Sequence, residues 1–427
     1  AMLVADNSCC TFNSGKHLLF QTLDDKKECV GIYLDGELIH DHLPTGLSRT
    51  WDYSTFLRDT EVEYAKFYCG GLSLDQVCPP RLRTQWEAVR DKLRAYFRSF
   101  GFAKVSLDEN CFFDLVPRQF LLDYCEVKSR ITQHVFDTYE KPDNYDFIKQ
   151  LATALDDIRY NELSISTEGI RPIYHKAATR KFVKNLQKYT PYCRYNIWGT
   201  KTGRLTNSPG SFPILTLDKQ YRSVLKPSND WFLELDYNAA ELRVALALAG
   251  QEQPVEDIHE WNIKNIFGDV DRQEAKRRIF AWLYGRKNVT GTLTNNDGTV
   301  EKLLEETYRR ERIIGSHWTG THVRTRFGRT IPSDHHHSLS YIIQSSCVDV
   351  TLRRLIEINE RLRDCRSQIA FTLHDSIVID LAASERGMIP ELINLFSQTE
   401  LGDFKVNTKV GRDFGNMVDL VLKTKCA

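Results

Sequence analysis

A short apolar run that ends on an aspartate and passes straight into an alanine-rich helix constrains this chain more than any other segment. Trp231-Phe-Leu-Glu-Leu-Asp236 suits a buried strand, and Ala239-Ala-Glu-Leu-Arg-Val-Ala-Leu-Ala-Leu-Ala249 is a strong helix former stopped by Gly250. A carboxylate at the end of a buried strand, next to a helix start, is held rigidly and suits a metal ligand. A second segment has the same character: apolar β-type runs, Gln368-Ile-Ala-Phe-Thr-Leu373 and Ser376-Ile-Val-Ile-Asp380, flank His374-Asp375. That pattern predicts a hairpin with His374 and Asp375 at its tip. Between the two lies Asp271 to Gly285, where Arg272, Lys276 and Phe280 fall four apart on one helix face and Tyr284 follows one turn later.

Two strand-borne aspartates that converge can hold two divalent ions about 3.5–4 Å apart. An Arg and a Lys one turn apart can grip a triphosphate, the Arg by bidentate contacts and the Lys as a mobile point charge. Singly, each signal has a plainer meaning, since a strand-end Asp is often a cap and an Arg/Lys face is usually only solvated. Their order along the chain makes the combination informative.

Charge is distributed to the same effect. The formal net charge is zero, yet no acidic residue stands between Glu168 and Asp218. That stretch holds Arg171, Lys176, Arg180, Lys181, Lys184, Lys188, Arg194, Lys201 and Arg204, interleaved with Tyr174, Tyr189, Tyr192, Tyr195 and Trp198. Ordinary solvated surfaces mix both signs; an acid-free basic segment with aromatic residues suits a nucleic-acid backbone. The 41% apolar fraction describes a globular chain with sizeable cores. No run approaches the ~18 apolar residues needed to span a membrane, and Ala1-Met2-Leu3 lacks the layout of a secretory signal. The eleven cysteines include the adjacent Cys9-Cys10 and no C-x-x-C pair, which predicts reduced thiols in an intracellular protein, not a disulfide frame or zinc site. His335-His336-His337 follows Pro332-Ser333-Asp334 and reads as a solvated loop, not a metal site.

Residues 1–80 read as a small domain of short strands, with a D-G hairpin turn at Asp35-Gly36 and a boundary at Pro79-Pro80. From Arg81 to about Asp157 the spacing is helical, with Trp86, Val89, Leu93 and Phe97 on one face.

The ordered motifs resemble those of family A DNA polymerases, the bacterial DNA polymerase I type. Asp236-Tyr-Asn-Ala-Ala-Glu-Leu-Arg243 is similar to D-Y-S-Q-I-E-L-R, and Thr372-Leu-His-Asp-Ser376 to the family's V-H-D-E. Arg272 to Gly285 resembles R-x-x-x-K-x-x-x-F-G-x-x-Y-G, with Ala281 at the first glycine. Lys201-Thr-Gly-Arg-Leu205, Asp257-Ile-His259, Phe327-Gly-Arg329, a helix opening at Gln344 and Val410 to Gly415 follow the family's order, so the resemblance covers roughly residues 190–417.

The resemblance implies an α+β right-hand fold: a thumb over 81–190, a palm of antiparallel sheet plus helices over 191–260 and 338–427, and helical fingers over 261–337. It implies a template-directed DNA polymerase that extends a primer 3′-OH with deoxynucleotides, using two Mg²⁺ ions for which Mn²⁺ can substitute. Asp236, Asp375 and the backbone carbonyl of Tyr237 become metal ligands. Lys276 grips the α-phosphate region and protonates pyrophosphate, while Arg272 and His259 hold the outer phosphates. Phe280 lies against the sugar, Tyr284 near the templating base, and Glu241 resembles the steric gate against a 2′-hydroxyl. Arg204 and Gln344 read minor-groove acceptors, His374 supports the primer terminus, and Lys201 joins the primer-template contacts.

The sequence also departs from the family. Ser376 stands where a second carboxylate is usual, and Thr206 to Pro213 does not reproduce P-N-L-Q-N-I-P. The H-D-S form is similar to phage-type single-subunit RNA polymerases, and a non-catalytic nucleic-acid-binding protein would also account for the basic stretch. A proofreading domain takes about 150–200 residues. Asp59-Thr-Glu61, the D-x-E triplet of the N-terminal part, reads as a solvated loop, so no 3′→5′ exonuclease is expected. The expected partners are primer-template DNA, dNTPs and processivity or replisome proteins. The expected chain is an intracellular monomer away from membranes, with a phage or viral source among its origins.

Overall fold

The computed structural model describes residues 17–107, 109–285 and 297–420. Cys9, Cys10 and Cys426, three of the expected thiols, and the start of the chain lie outside the described residues. Two compact units divide between Tyr145 and Asp146.

The first unit is built on a five-stranded sheet whose spatial order is Glu37–His40, Gly31–Leu34, Leu18–Thr22, Leu47–Thr50 and Glu63–Tyr64. The first three strands run antiparallel, and the last two join in parallel. The expected Asp35-Gly36 turn is there, with φ of 47° and 89°, because a two-residue hairpin of matching twist needs positive φ at both central positions. Pro79-Pro80 does not end this unit. It leads through a single turn into the helix Arg83–Ala103, whose Trp86 and Val89 share a core with Trp51, Ala65 and Val77. A second helix, Arg118–Thr138, lies on the sheet: Gln21 donates to Thr132 Oγ1 at 3.1 Å, and Tyr33 to Glu126 at 2.5 Å. The apolar face of a sheet has to be covered, and these helices are its cover. Asp59 and Glu61 are exposed in the turn before the edge strand.

The expectation of wholly reduced thiols needs correction. Cys29 and Cys111 form a disulfide with Cα atoms 5.9 Å apart across a sequence separation of 82. Asp24 ties together the two segments that carry them. Its carboxylate accepts the N–H groups of Asp25 and Lys26 in its own turn and that of Phe112, at 2.7 Å, beside Cys111. The free cysteines among the described residues are Cys69, Cys78, Cys125, Cys193, Cys347 and Cys365, and all but Cys365 are buried.

The second unit is organised by an antiparallel sheet in the order Gln368–Leu373, Ser376–Leu381, Trp231–Tyr237, Val406–Gly411 and Val418–Asp419. Trp231–Tyr237 is central, so both its edges are paired, and its Phe232, Leu233, Leu235 and Tyr237 are buried. Side chains alternate across a strand, which sends Asp236 to one face and Tyr237 to the other. Tyr237 stacks on Phe396 at 4.2 Å, its hydroxyl donating to the Phe396 carbonyl at 2.7 Å. That anchors the strand to the helix Ile389–Ser397. The long helix His335–Arg361 starts earlier than expected: Asp334 is its N-cap, accepting the His337 N–H at 2.8 Å. The histidine tract is thus its first turn, not a loop, and Gln344 lies well inside the helix. Among the described residues no helix is long and apolar enough to cross a membrane.

Candidate active site

Strand register builds one end of the site. Asp236 pairs with Ser376 on one neighbouring strand and with Asn407 on the other, while Leu373 pairs with Ser376. The hairpin therefore has a two-residue tip, His374-Asp375, next to the strand end that carries Asp236. His374 takes a φ of 57° to make the turn. The nearest polar side chain on the paired strand is Asn407, whose Nδ2 approaches Asp236 at 3.5 Å. Among the described residues neither aspartate has an ion-pair partner. Burial, then the charges of Asp375 and Glu234, push the Asp236 carboxyl up to about 7. Burial also raises Asp375, against its own backbone N–H and His374.

Half-buried acids that repel one another and lack an ion-pair partner, presenting only hard oxygen donors, fit a divalent ion of the Mg²⁺ type. Ser376 is no part of that donor set: its hydroxyl donates to the Leu373 carbonyl at 2.9 Å inside the hairpin. Glu234, two residues before Asp236 on the same strand face, is the nearby acid that motif reading passed over. It is held above the ordinary glutamate range by burial, with Lys409 and Arg222 acting against the shift.

The other end is cationic. Arg272–Leu283 is one helix, N-capped by Asp271, which accepts from Gln273 and Glu274. Arg272 pairs with Asp257 at 2.8 Å. Asp257 caps the helix Ile258–Asn262 and also accepts from Asn238 at 2.7 Å. Burial opposes ionisation there, but the hydrogen bonds from Arg272, Asn238 and two helix N–H groups outweigh it and hold the carboxyl well below the usual range. His259 is buried beside Arg272, and burial followed by that cation lowers it to about 4. Lys276 is exposed, and among the described residues it has no ion-pair partner.

The two ends are joined by Arg243, which is fully buried. It donates to the Asn238 carbonyl and side-chain oxygen and to the carbonyls of Pro254 and Glu256. One guanidinium so satisfied locks the strand-to-helix corner after Asp236 to the loop that carries Asp257.

Between the ends lies a cleft of about 440 Å³, lined by Arg204, Asp236, Tyr237, Glu241, His259, Arg272, Lys276, Phe280, Gln344, His374 and Asp375. Eleven of the thirteen residues singled out in the sequence meet there. Tyr284 and Lys201 do not line it. Tyr284 borders a second cavity of about 800 Å³, shared with Arg310, the histidine tract and Gln344. Its hydroxyl donates to Glu241 Oε2 at 2.5 Å, and its ring stacks on Phe280 at 6.2 Å. Glu241 is held from its other oxygen by Arg204 at 2.8 Å. Lys201 is exposed on the turn before Arg204.

The polymerase domain of Pol1 from Mycobacterium smegmatis, solved with a DNA primer-template and dNTP, superposes with a TM-score of 0.65 at 12% identity, covering 94% of this chain and 96% of that one. The fold is that of a polymerase domain. Sequence relatives carry the matching name. A DNA polymerase of Mycobacterium phage L5 is 27% identical over 236 residues, 45% of this chain and 37% of that protein. DNA polymerase I of Lactococcus lactis is 26% identical over 264 residues, 51% of this chain and 30% of that protein. A DNA polymerase of Bacillus phage SP01 is 25% identical over 297 residues, 54% of this chain and 32% of that protein. The chain thus spans about a third of the length of these curated relatives. No family model matches it.

Proposed function

We propose that this chain is a template-directed DNA polymerase that adds deoxynucleotides to a primer 3′-hydroxyl. The observation that carries the reading is the polarity of one cleft: Asp236 and Asp375 without ion-pair partners at one end, Arg272 and Lys276 at the other, and Arg204 and Gln344 on its wall. The relatives' names and the polymerase-domain fold support it.

In this reading Asp236, Asp375 and the Tyr237 carbonyl hold two Mg²⁺ ions. When bound, these ions supply Lewis acidity at the primer hydroxyl and at the leaving phosphates. Arg272 and His259 bind the outer phosphates, and Arg272 exchanges Asp257 for them. Lys276 lies one turn further on the same face; its Nζ grips the α-phosphate region and gives its proton to the departing pyrophosphate. Phe280 packs against the sugar. Glu241, pinned from both oxygens by Arg204 and Tyr284, forms a stiff wall where a 2′-hydroxyl would sit. His374 supports the primer end and Lys201 the duplex backbone. The helix Arg272–Leu283 belongs to the fingers, and the sheet around Asp236 to the palm.

Primer extension with dNTPs and Mg²⁺ tests the reading, with rNTPs and a mismatched primer end in parallel. Extension with dNTPs, poor use of rNTPs and no trimming of the mismatch are expected. Glu241→Ala should raise rNTP incorporation, on the order of ten-fold or more, the discrimination available when a site rejects one extra hydroxyl. Unchanged discrimination in that variant would remove Glu241 from the gate.

A further inference from the structure

The turn that carries Arg204 rests on a buried ion pair outside the cleft. Gly203, at φ +81°, precedes Arg204, and a Cβ there would lie 2.5 Å from Cζ of Arg329 and 2.6 and 2.7 Å from its terminal nitrogens. The Gly203 main chain therefore lies against the guanidinium with no room for a side chain. The other edge of that guanidinium is fixed by Asp349, both of whose oxygens accept from Arg329 Nε, at 2.8 and 2.9 Å. The two side chains are 15% and 1% exposed. Arg329 is itself held in a turn, its N–H donating to Thr325 Oγ1 at 3.1 Å and its carbonyl accepting from the Thr325 N–H at 2.9 Å.

On the cleft side, Thr200 closes the turn, its hydroxyl donating to the Arg204 carbonyl at 3.0 Å. From that turn the Arg204 side chain reaches Glu241 at 2.8 Å. Asp349 belongs to the long helix whose Gln344, Cys347, Val348 and Leu352 line the cleft, though Asp349 itself does not. A chain of direct contacts thus runs from the helix of Gln344, through Asp349, Arg329 and Gly203, to Arg204.

We propose that the Arg329–Asp349 pair is a positioning element that holds Arg204 and Gln344 in one fixed frame. Arg329 supplies a flat platform under Gly203, and Asp349 fastens the platform to the helix of Gln344. Only a planar guanidinium can do both, since it presents one edge to a carboxylate and leaves its far end for the glycine, whereas a lysine offers a single point of charge. A buried ion pair is weak support for stability, because desolvation offsets most of the attraction. Its value here is geometric. The functional half of the proposal rests on the polymerase reading of the cleft; the positioning half does not.

The test uses the full chain with Arg329→Lys, Asp349→Asn, Arg204→Ala and the double variant R204A/R329K. Arg361→Gln, which removes an exposed pair with Glu391, is the control. Hydrogen exchange in the free protein requires no activity. Exchange over residues 199–206 should rise about ten-fold in R329K and less in D349N, while the 231–237 strand keeps its protection. In single-turnover extension from a matched primer, R329K should lower the maximal rate about ten-fold with the dNTP KM within about two-fold, the pattern of a displaced contact. If Arg329 acts through Arg204, the double variant should be no slower than R204A alone. Additive losses, or unchanged exchange over 199–206, would overturn the proposal. Should R329K fail to fold, D349N, which keeps the shape and one acceptor, carries both measurements. A wild-type chain that extends no primer defeats the polymerase reading, and the exchange result then decides positioning on its own.

Discussion

Two carboxylate sites about twenty residues apart in the second unit behave in opposite ways. Asp257 is surrounded by donors: Arg272, Asn238 and the first N–H groups of the helix it caps. Its carboxyl is held far below the ordinary range. Asp236 meets Asn407 at 3.5 Å and two like charges, and is pushed up to about 7. The chain satisfies the first acid itself and leaves the second short of donors, with Asn407 and, more weakly, the Lys409 charge only partly offsetting burial and repulsion. An acid completed by its own protein serves the frame, and one left in deficit on the wall of a cleft suits the cation site proposed above. Fold stability and function should therefore respond inversely at the two sites.

The largest effect belongs to the uncompensated pair. If the proposed assignment holds, Asp236→Asn and Asp375→Asn should each lower primer extension on the order of 10³-fold or more, because each would remove a ligand of the reacting ions. Neither should lower the metal-free melting temperature, because each deletes a half-buried charge that has no ion-pair partner. Retained extension, or a marked fall in stability, would erase the contrast with Asp257. The second effect is the inverse. Asp257→Asn should cost about 1–3 kcal/mol of stability through lost charged hydrogen bonds, and it should raise the dNTP KM by loosening Arg272. Asp257 has a depressed carboxyl, so its contribution is present above the ordinary aspartate range and lost as pH falls through its folded value. The melting-temperature gap between wild type and D257N should be constant near neutrality and shrink below about pH 4. A gap that does not change with pH would mean that Asp257 is not the ionised cap described.

How far these sites are legible in the sequence depends on how local the forces are that build them. The strand carrying Asp236, the hairpin tip at His374-Asp375 and the helix face of Arg272, Lys276 and Phe280 all follow from period-two or near-four-residue spacing. The fold class comes not from spacing but from the family resemblance that those segments carry in their order. Asn407 comes to Asp236 by strand pairing across 171 residues, and nothing near Asn407 announces that register. The platform under Gly203 is equally non-local, although a glycine directly before Arg204 was a visible hint of a close approach. The far end of the N-terminal unit is hidden from the sequence for a related reason. Its hairpin is local, but the helices that cover it lie beyond two prolines that look like a boundary, and the Cys29–Cys111 spacing carries no pairing rule. The histidine tract differs, since Asp334 three residues before His337 was a readable N-cap signal.

The smallest expected effect, and the one that sharpens the comparison most, is at His259, which lies in the helix that Asp257 caps and lines the cleft with Asp236. The ring is buried, its Nδ1 has no hydrogen-bond partner, and the Arg272 cation lies beside it. A histidine lowered to about 4 is neutral across the physiological range. Its stabilising contribution is complete above the ordinary value near 6.5 and is lost as pH falls toward the folded value. NMR titration of the ring should therefore give a midpoint near pH 4, with unfolding limiting the acid end. Arg272→Gln removes the larger of the two lowering cations, Lys276 being the other, and should move the midpoint up, whereas D257N removes the anion that raises it and should move it down. Adding a dNTP to the wild type without metal should raise the midpoint, because a triphosphate replaces a cation-dominated surrounding with negative charge. A ring that titrates near 6.5 in every variant would mean that His259 does not share the field of Arg272 and Asp257, and it would take His259 out of the phosphate-binding end of the cleft.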